Sequence, residues 1–76
     1  MGRLSNISLA DFRRFLIAQG LALKGTNGGH EKWDKEGLLR CVVVQTHISP
    51  VPEIVIRSNL RTIGVSANEL LEFLGR

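Results

Sequence analysis

Two glycine-bearing reversals, Asn27-Gly28-Gly29 and Lys35-Glu36-Gly37, lie so close together that the chain between them has room for a short strand and nothing longer. Glycine reaches positive φ at no steric cost, and Asn-Gly is a favoured centre for a tight hairpin. The flanking segments carry strand patterns: Leu21-Ala22-Leu23-Lys24 alternates, His30 to Asp34 alternates around the one tryptophan, and Leu38 to Gln45 is rich in valine. Two hairpins in succession predict an antiparallel three-stranded meander.

Helical patterns bracket this meander. Leu9, Phe12, Phe15 and Leu16 recur at helical spacing, with Ser8 placed to cap, Asp11 as its capping-box partner, Ile7 as a staple onto Phe12 and Gly20 as the stop. The spacing predicts a helix over 9–19. Two prolines interrupt His47 to Pro52 and make it a loop. Beyond it, Ile54-Val55-Ile56 is β-branched, yet Ile56, Leu60 and Ile63 fall on one helical stripe ended by Gly64, which predicts a helix over 54–63. Ser66 and Glu69 form a capping box for a last helix, with Val65 as a staple onto Leu70 and with Leu70, Phe73 and Leu74 as the buried face. The order is α-β-β-β-α-α, an α+β domain whose helices cover one face of the sheet and leave the other to solvent.

At 76 residues the chain holds one domain, 1–76, and one core, and with 43% apolar residues that core can be filled. A single cysteine, Cys41, excludes an intrachain disulfide. Met1 to Gly20 has no continuous apolar stretch of the secretory kind and carries Arg13 and Arg14 in its middle. The expected setting is soluble, reducing and cytoplasmic. The net charge is +3 and unevenly spread: residues 1–61 carry +4 and the last fifteen carry −1. A positively biased body suits a polyanion, because neutralised phosphates release counterions.

If Trp33 points into the core, alternation sends His30, Lys32 and Asp34 to the open face. Lys24 from the first strand and Arg40 from the third are expected on that face too. One histidine then stands among cations beside a glycine hairpin that lets a ligand come close. Cleaving RNA through its own 2′-hydroxyl needs a base that titrates near neutrality and positive charge around the phosphate; histidine as a residue type suits the first and Lys and Arg the second, with no metal required. The other candidates are weaker. His47 sits in a loop, Cys41 reads as a small core residue, no metal-ligand spacing occurs, and Arg13, Arg14, Arg57 and Arg61 read as solvated ridges.

The stretch Lys24-Gly25-Thr26-Asn27-Gly28-Gly29-His30-Glu31-Lys32-Trp33 resembles the HicA family of bacterial toxins, small ribonucleases that cut mRNA and are silenced by a HicB antitoxin. The family pattern there is Gly-Ser-His with an aromatic residue three places on, matched by Gly28, His30 and Trp33. Val42-Val43-Val44-Gln45-Thr46-His47 is similar to the family's third strand with its trailing histidine, and Gly64-Val65-Ser66 to its signature after the second helix. The likeness runs from about Leu9 to Leu74. Gly29 stands where serine is common, and Gln45 where proline is common.

The resemblance implies a fold like the double-stranded-RNA-binding domain and a toxin of a type II toxin–antitoxin pair. It implies a catalytic role for His30, mRNA as substrate, a HicB-like antitoxin as protein partner, and a bacterial cytoplasmic setting, with no membrane and no small-molecule cofactor. RNA-binding residues are expected at Lys24, Asn27, Gly28, Gly29, Lys32 and Arg40. Two rivals remain: a non-catalytic RNA-binding module of the same fold, which needs aligned cations but no titrating group, and a domain that binds only protein.

Overall fold

The computed structural model describes residues 4–76. Among these residues it forms α1 (Leu9–Ala18), β1 (Ala22–Asn27), β2 (His30–Asp34), β3 (Val42–Gln45), α2 (Glu53–Ile63) and α3 (Ala67–Phe73). The strands make an antiparallel sheet in the order β1-β2-β3. The expected α+β order is therefore the one observed. No described helix is long and apolar enough to cross a membrane.

Local chemistry explains most element ends. Ser8 Oγ accepts from the Asp11 N–H at 3.0 Å, which caps α1. The Asp11 carboxylate does not complete the expected box; it accepts from Arg14 Nη1 at 2.6 Å instead. Aspartate is one methylene shorter than the glutamate or glutamine that normally reaches back to the cap. α3 has the longer residue, and both halves of its box form between Ser66 and Glu69. α2 begins after Pro52 with no side-chain cap and ends where Gly64 turns left-handed at φ 88°.

Inward-facing residues of the sheet meet the helices in one core. Trp33, Val42 and Val44 are buried with Phe12, Phe15 and Leu16 of α1, Ile56 and Leu60 of α2 and Leu70 of α3. Ile7 and Phe12 are both fully buried, as a staple requires. Phe73 was expected on the buried face of α3 and is 38% exposed. Its ring meets Phe15 edge-on at 5.5 Å between centroids, while the Arg14 guanidinium lies 5.5 Å from its centroid. An aromatic held between a ring edge and a cation is stabilised without full burial.

The strands differ from expectation at their ends. β1 runs on to Asn27, so that Gly28 and Gly29 alone form the loop, at φ 62° and 138°. Its register slips between Leu23, opposite Trp33, and Gly25, opposite Lys32, which leaves Lys24 as the extra residue of a bulge. β3 was expected from Leu38 and begins at Val42, opposite Trp33. Continuing that register would pair residues 38–40 with 35–37, and those residues are already a turn. Leu38 N–H donates to Lys35 O, and Lys35 Nζ is tied to Gln19 O at 2.9 Å. A ladder stops where its partner strand turns away. Leu38 consequently packs on the core while Leu39 projects fully into solvent.

Candidate nucleic-acid interface

Pairing across β2 and β3 sets the site. Thr46 N–H donates to Gly29 O at 2.8 Å, so pairs two and four residues further, Glu31 with Val44 and Trp33 with Val42, are the hydrogen-bonded ones. His30 with Gln45 and Lys32 with Val43 alternate with them as non-hydrogen-bonded pairs, whose side chains stand closer together. These two pairs face the open side. His30, Lys32 and Val43 are exposed and Gln45 is half-buried. The Gln45 amide nitrogen lies 3.5 Å from His30 Nε2, and it can donate to that ring nitrogen when the nitrogen is unprotonated.

The opposite side of the same strand is closed. Glu31 is 7% exposed and Trp33 5%. Arg13 grips the Glu31 carboxylate with both arms, Nε to Oε1 at 3.1 Å and Nη2 to Oε2 at 2.5 Å, and Trp33 Nε1 donates to Oε1 at 3.0 Å. The Arg13 hydrogen bond is the main reason the Glu31 carboxyl titrates below its ordinary range. Burial opposes that shift, while the Trp33 hydrogen bond and the charge of Arg13 reinforce it. Arg13 is thus a pinned side chain rather than a solvated ridge. The alternation that puts Trp33 inside puts Glu31 there too, and an inward carboxylate demands a cation. That signal was present in the sequence.

The expected site residues divide into two groups. His30, Lys32, Asn27, Gly28 and Gly29 gather at one end of the sheet, where Asn27 pairs with His30 across the loop. Lys24, exposed at the bulge, stands next to the position opposite Lys32. Arg40 is the departure. It precedes β3 rather than lying on it, and it lines a hollow with Ile54, Ser58 and Thr62 at the end of β3 remote from His30. Among the described residues neither Lys24, Lys32 nor Arg40 enters an ion pair, whereas Arg13, Arg14 and Arg57 each have a carboxylate.

The other histidine lies nearer the hairpin than its place in the sequence suggests. A Cβ on Gly29 would fall 3.1 Å from His47 Cε1 and 3.2 Å from Nδ1. The loop is fixed there by Thr46, whose N–H and Oγ1 both donate to Gly29 O, at 2.8 and 3.3 Å. A serine in place of Gly29 would force the ring aside, so the glycine at this position and the placement of His47 go together. The exposed Gly28 next to it, which carries no side chain, leaves the approach to His30 open.

A groove adjoins His30 as well. It lies between β3 and the loop leading into α2, encloses about 250 Å³, and has aliphatic walls from Val43, Ile48, Val51 and Val55. Among the described residues, no three of His, Cys, Asp or Glu come together as metal ligands would. The site consists of one open histidine, lysines that enter no ion pair among the described residues, a glycine loop and an apolar groove. Compared with family models, with curated proteins and with solved structures, the chain matches none.

Proposed function

We propose that this chain is a metal-independent endoribonuclease that cuts mRNA, the toxin of a type II toxin–antitoxin pair, working in the bacterial cytoplasm. One observation carries the reading: His30 stands exposed on the open sheet face beside a two-glycine loop, with Lys32 two residues along the strand and Lys24 at the bulge beside Gly25, the partner of Lys32, and among the described residues neither lysine is in an ion pair. The sequence likeness to HicA toxins at Gly28, His30 and Trp33 supports it from a second direction.

In this reading His30 takes the proton of a ribose 2′-hydroxyl. The 2′-oxygen bonds to phosphorus, the bond from phosphorus to the 5′-oxygen breaks, and that oxygen leaves with a proton from water. The products are a 2′,3′-cyclic phosphate and a 5′-hydroxyl. Lys32 and Lys24 hold the phosphodiester and offset its growing charge. Gly28 and Gly29 keep side chains away from the strand being cut. A HicB-like antitoxin silences the enzyme by covering His30 with acidic and steric complementarity.

A specific observation favours the second reading, a non-catalytic RNA-binding module. Among the described residues no carboxylate orients the His30 ring, and its one polar side-chain neighbour is the neutral Gln45. The test is cleavage of RNA by the purified chain in EDTA, with His30→Ala beside it. The nuclease reading requires cleavage by the native chain that disappears in a variant still able to bind RNA. Equal binding by both without cleavage by either favours the module.

A further inference from the structure

We propose that the groove between β3 and the loop entering α2 is a nucleobase pocket, which holds the base next to the phosphodiester at His30 and so gives the site a base preference. The inference rests on the ribonuclease reading for its biological meaning, though the pocket itself can be tested without it.

Three observations single out a base as occupant. First, the groove is chemically two-sided: Val43, Ile48, Val51 and Val55 give it aliphatic walls, while its polar side chains, His30 and Gln45, sit together as one cross-strand pair. A nucleobase has that same division, with apolar faces and a hydrogen-bonding edge. The Gln45 amide offers both a donor and an acceptor to such an edge. Single-stranded RNA is recognised largely through bases splayed out of the stack, so an unstacked base is what this site would meet.

Second, charge stands where the attached phosphate must lie. Lys32 is the direct cross-strand neighbour of Val43, the exposed floor of the groove, and His30 is that of Gln45. A base among the aliphatic side chains therefore leaves its own backbone phosphate over His30 and Lys32. Third, the rival occupant of a sheet edge, an added peptide strand, is blocked at the middle of this edge. Val43 lies at a non-hydrogen-bonded position relative to β2, so its carbonyl points away from the sheet, and Asn59 Nδ2 of α2 already donates to it at 3.2 Å. Tethers from the start of α1 and the segment just before it also fix the far wall: Val51 N–H donates to Ile7 O at 2.9 Å, and Leu9 N–H donates to Ser49 Oγ at 3.1 Å. The pocket is pre-formed.

The test has two independent arms. In the first, isotope-labelled native chain is titrated with each of the four nucleoside 3′-monophosphates and, separately, with inorganic phosphate, while the methyl signals are followed. The expected result is that at least one nucleotide moves the methyls of Val43, Ile48 and Val55 together with His30, and phosphate moves only His30 and Lys32. Nucleotides that reproduce the phosphate pattern and leave those methyls still overturn the pocket. In the second arm, RNA randomised around the cut is digested by the native chain and by Val55→Phe, which fills the groove, and by Gln45→Ala, which removes the edge reader. Base preference beside the cut should fall about tenfold in each variant, the discrimination one well-placed contact supplies. A preference unchanged in both overturns the pocket while leaving His30 as the base. Absence of cleavage by the native chain defeats the ribonuclease reading instead, and the titration then still decides whether the groove takes a base.

Discussion

Along β2, Glu31 and Trp33 point into the protein and His30 and Lys32 point out, and the two pairs differ in more than exposure. Every polar atom of the inner pair has a partner at hydrogen-bond distance, and among the described residues no buried side-chain nitrogen or oxygen lacks one. The outer pair is almost unconstrained: among the described residues His30 has one polar side-chain neighbour, at 3.5 Å, and Lys32 has no carboxylate. The contrast teaches a division of labour along five residues. The inner side chains fix where the strand lies, and the outer ones are free to exchange partners without disturbing it. A residue that must titrate or take up a phosphate cannot also hold the fold, because each change would then alter stability.

The largest expected effect follows directly. His30→Ala should lower RNA cleavage by at least about 100-fold, the lower end of what a general base contributes. It should leave stability within about 0.5 kcal/mol, as for any surface substitution without a structural role. Initial cleavage rates and thermal unfolding of the same preparation check both halves. Residual cleavage near the native rate ends the assignment of His30. A large loss of stability would instead show that the outer face also supports the fold.

Glu31→Ala reverses the pattern. It orphans the buried Trp33 N–H and frees Arg13, at an expected cost of about 2–3 kcal/mol. For a domain of this size each kcal/mol moves the midpoint by about 4–8 °C. A calorimetric midpoint within a degree of native would show the inner cluster to be ornamental. Arg13→Ala should act in the same direction and at least as strongly, because it leaves the buried Glu31 carboxylate with the Trp33 N–H but without its cation.

Acid sharpens the same contrast. Because the folded-state carboxyl of Glu31 titrates below its ordinary value of 4.5, its contribution is complete above that pH and is lost as pH falls through the lower folded value. The stability gap between the native chain and Glu31→Gln should therefore be constant from neutrality down to about 4.5 and shrink below it. Urea midpoints measured from pH 7 to pH 3 show this. A gap that stays constant throughout would mean that the ion pair contributes nothing pH-dependent.

What could be read from the sequence follows the same division. Periodicity, caps and the glycine loop are local, and they gave α1, α3, the first hairpin and the outward placement of His30 and Lys32. The helix over 54–63 was ambiguous between strand propensity and helical spacing, and the spacing prevailed because Ile56 and Leu60 fit one core face. What was missed depends on partners distant in the chain. β3 begins late because the chain before it is turned by Lys35. The Lys24 bulge is a matter of register, and the His47 ring lies against Gly29 because Thr46 fastens the loop. The groove belongs to no single segment, so no spacing announced it.

Gly29→Ser tests how tightly the two faces are joined at the loop. Its φ of 138° is strained for any side chain, and the new Cβ would sit 3.1 Å from His47 Cε1. The expected cost is about 1–2 kcal/mol. The His47 ring signals should shift while those of Trp33 stay in place. A destabilised chain with unmoved His47 would separate the backbone strain from the ring contact.

The smallest effect concerns how far the outer face extends as a binding track. Lys32→Ala should weaken RNA binding uniformly across sequences and flatten the dependence of log affinity on log salt by about 0.7, the share of one phosphate contact on a single strand. Arg40→Ala should flatten it less, because Arg40 stands at the end of β3 away from His30, among residues of α2. If the two variants change the slope equally, the track runs the full length of β3, and Arg40 belongs with His30 despite lying outside the strand. If Arg40→Ala leaves the slope untouched, the footprint ends near Lys32. The phosphate at His30 would then be held by β1, β2 and the two-glycine loop, the part of the open face that the buried Glu31 cluster holds from beneath.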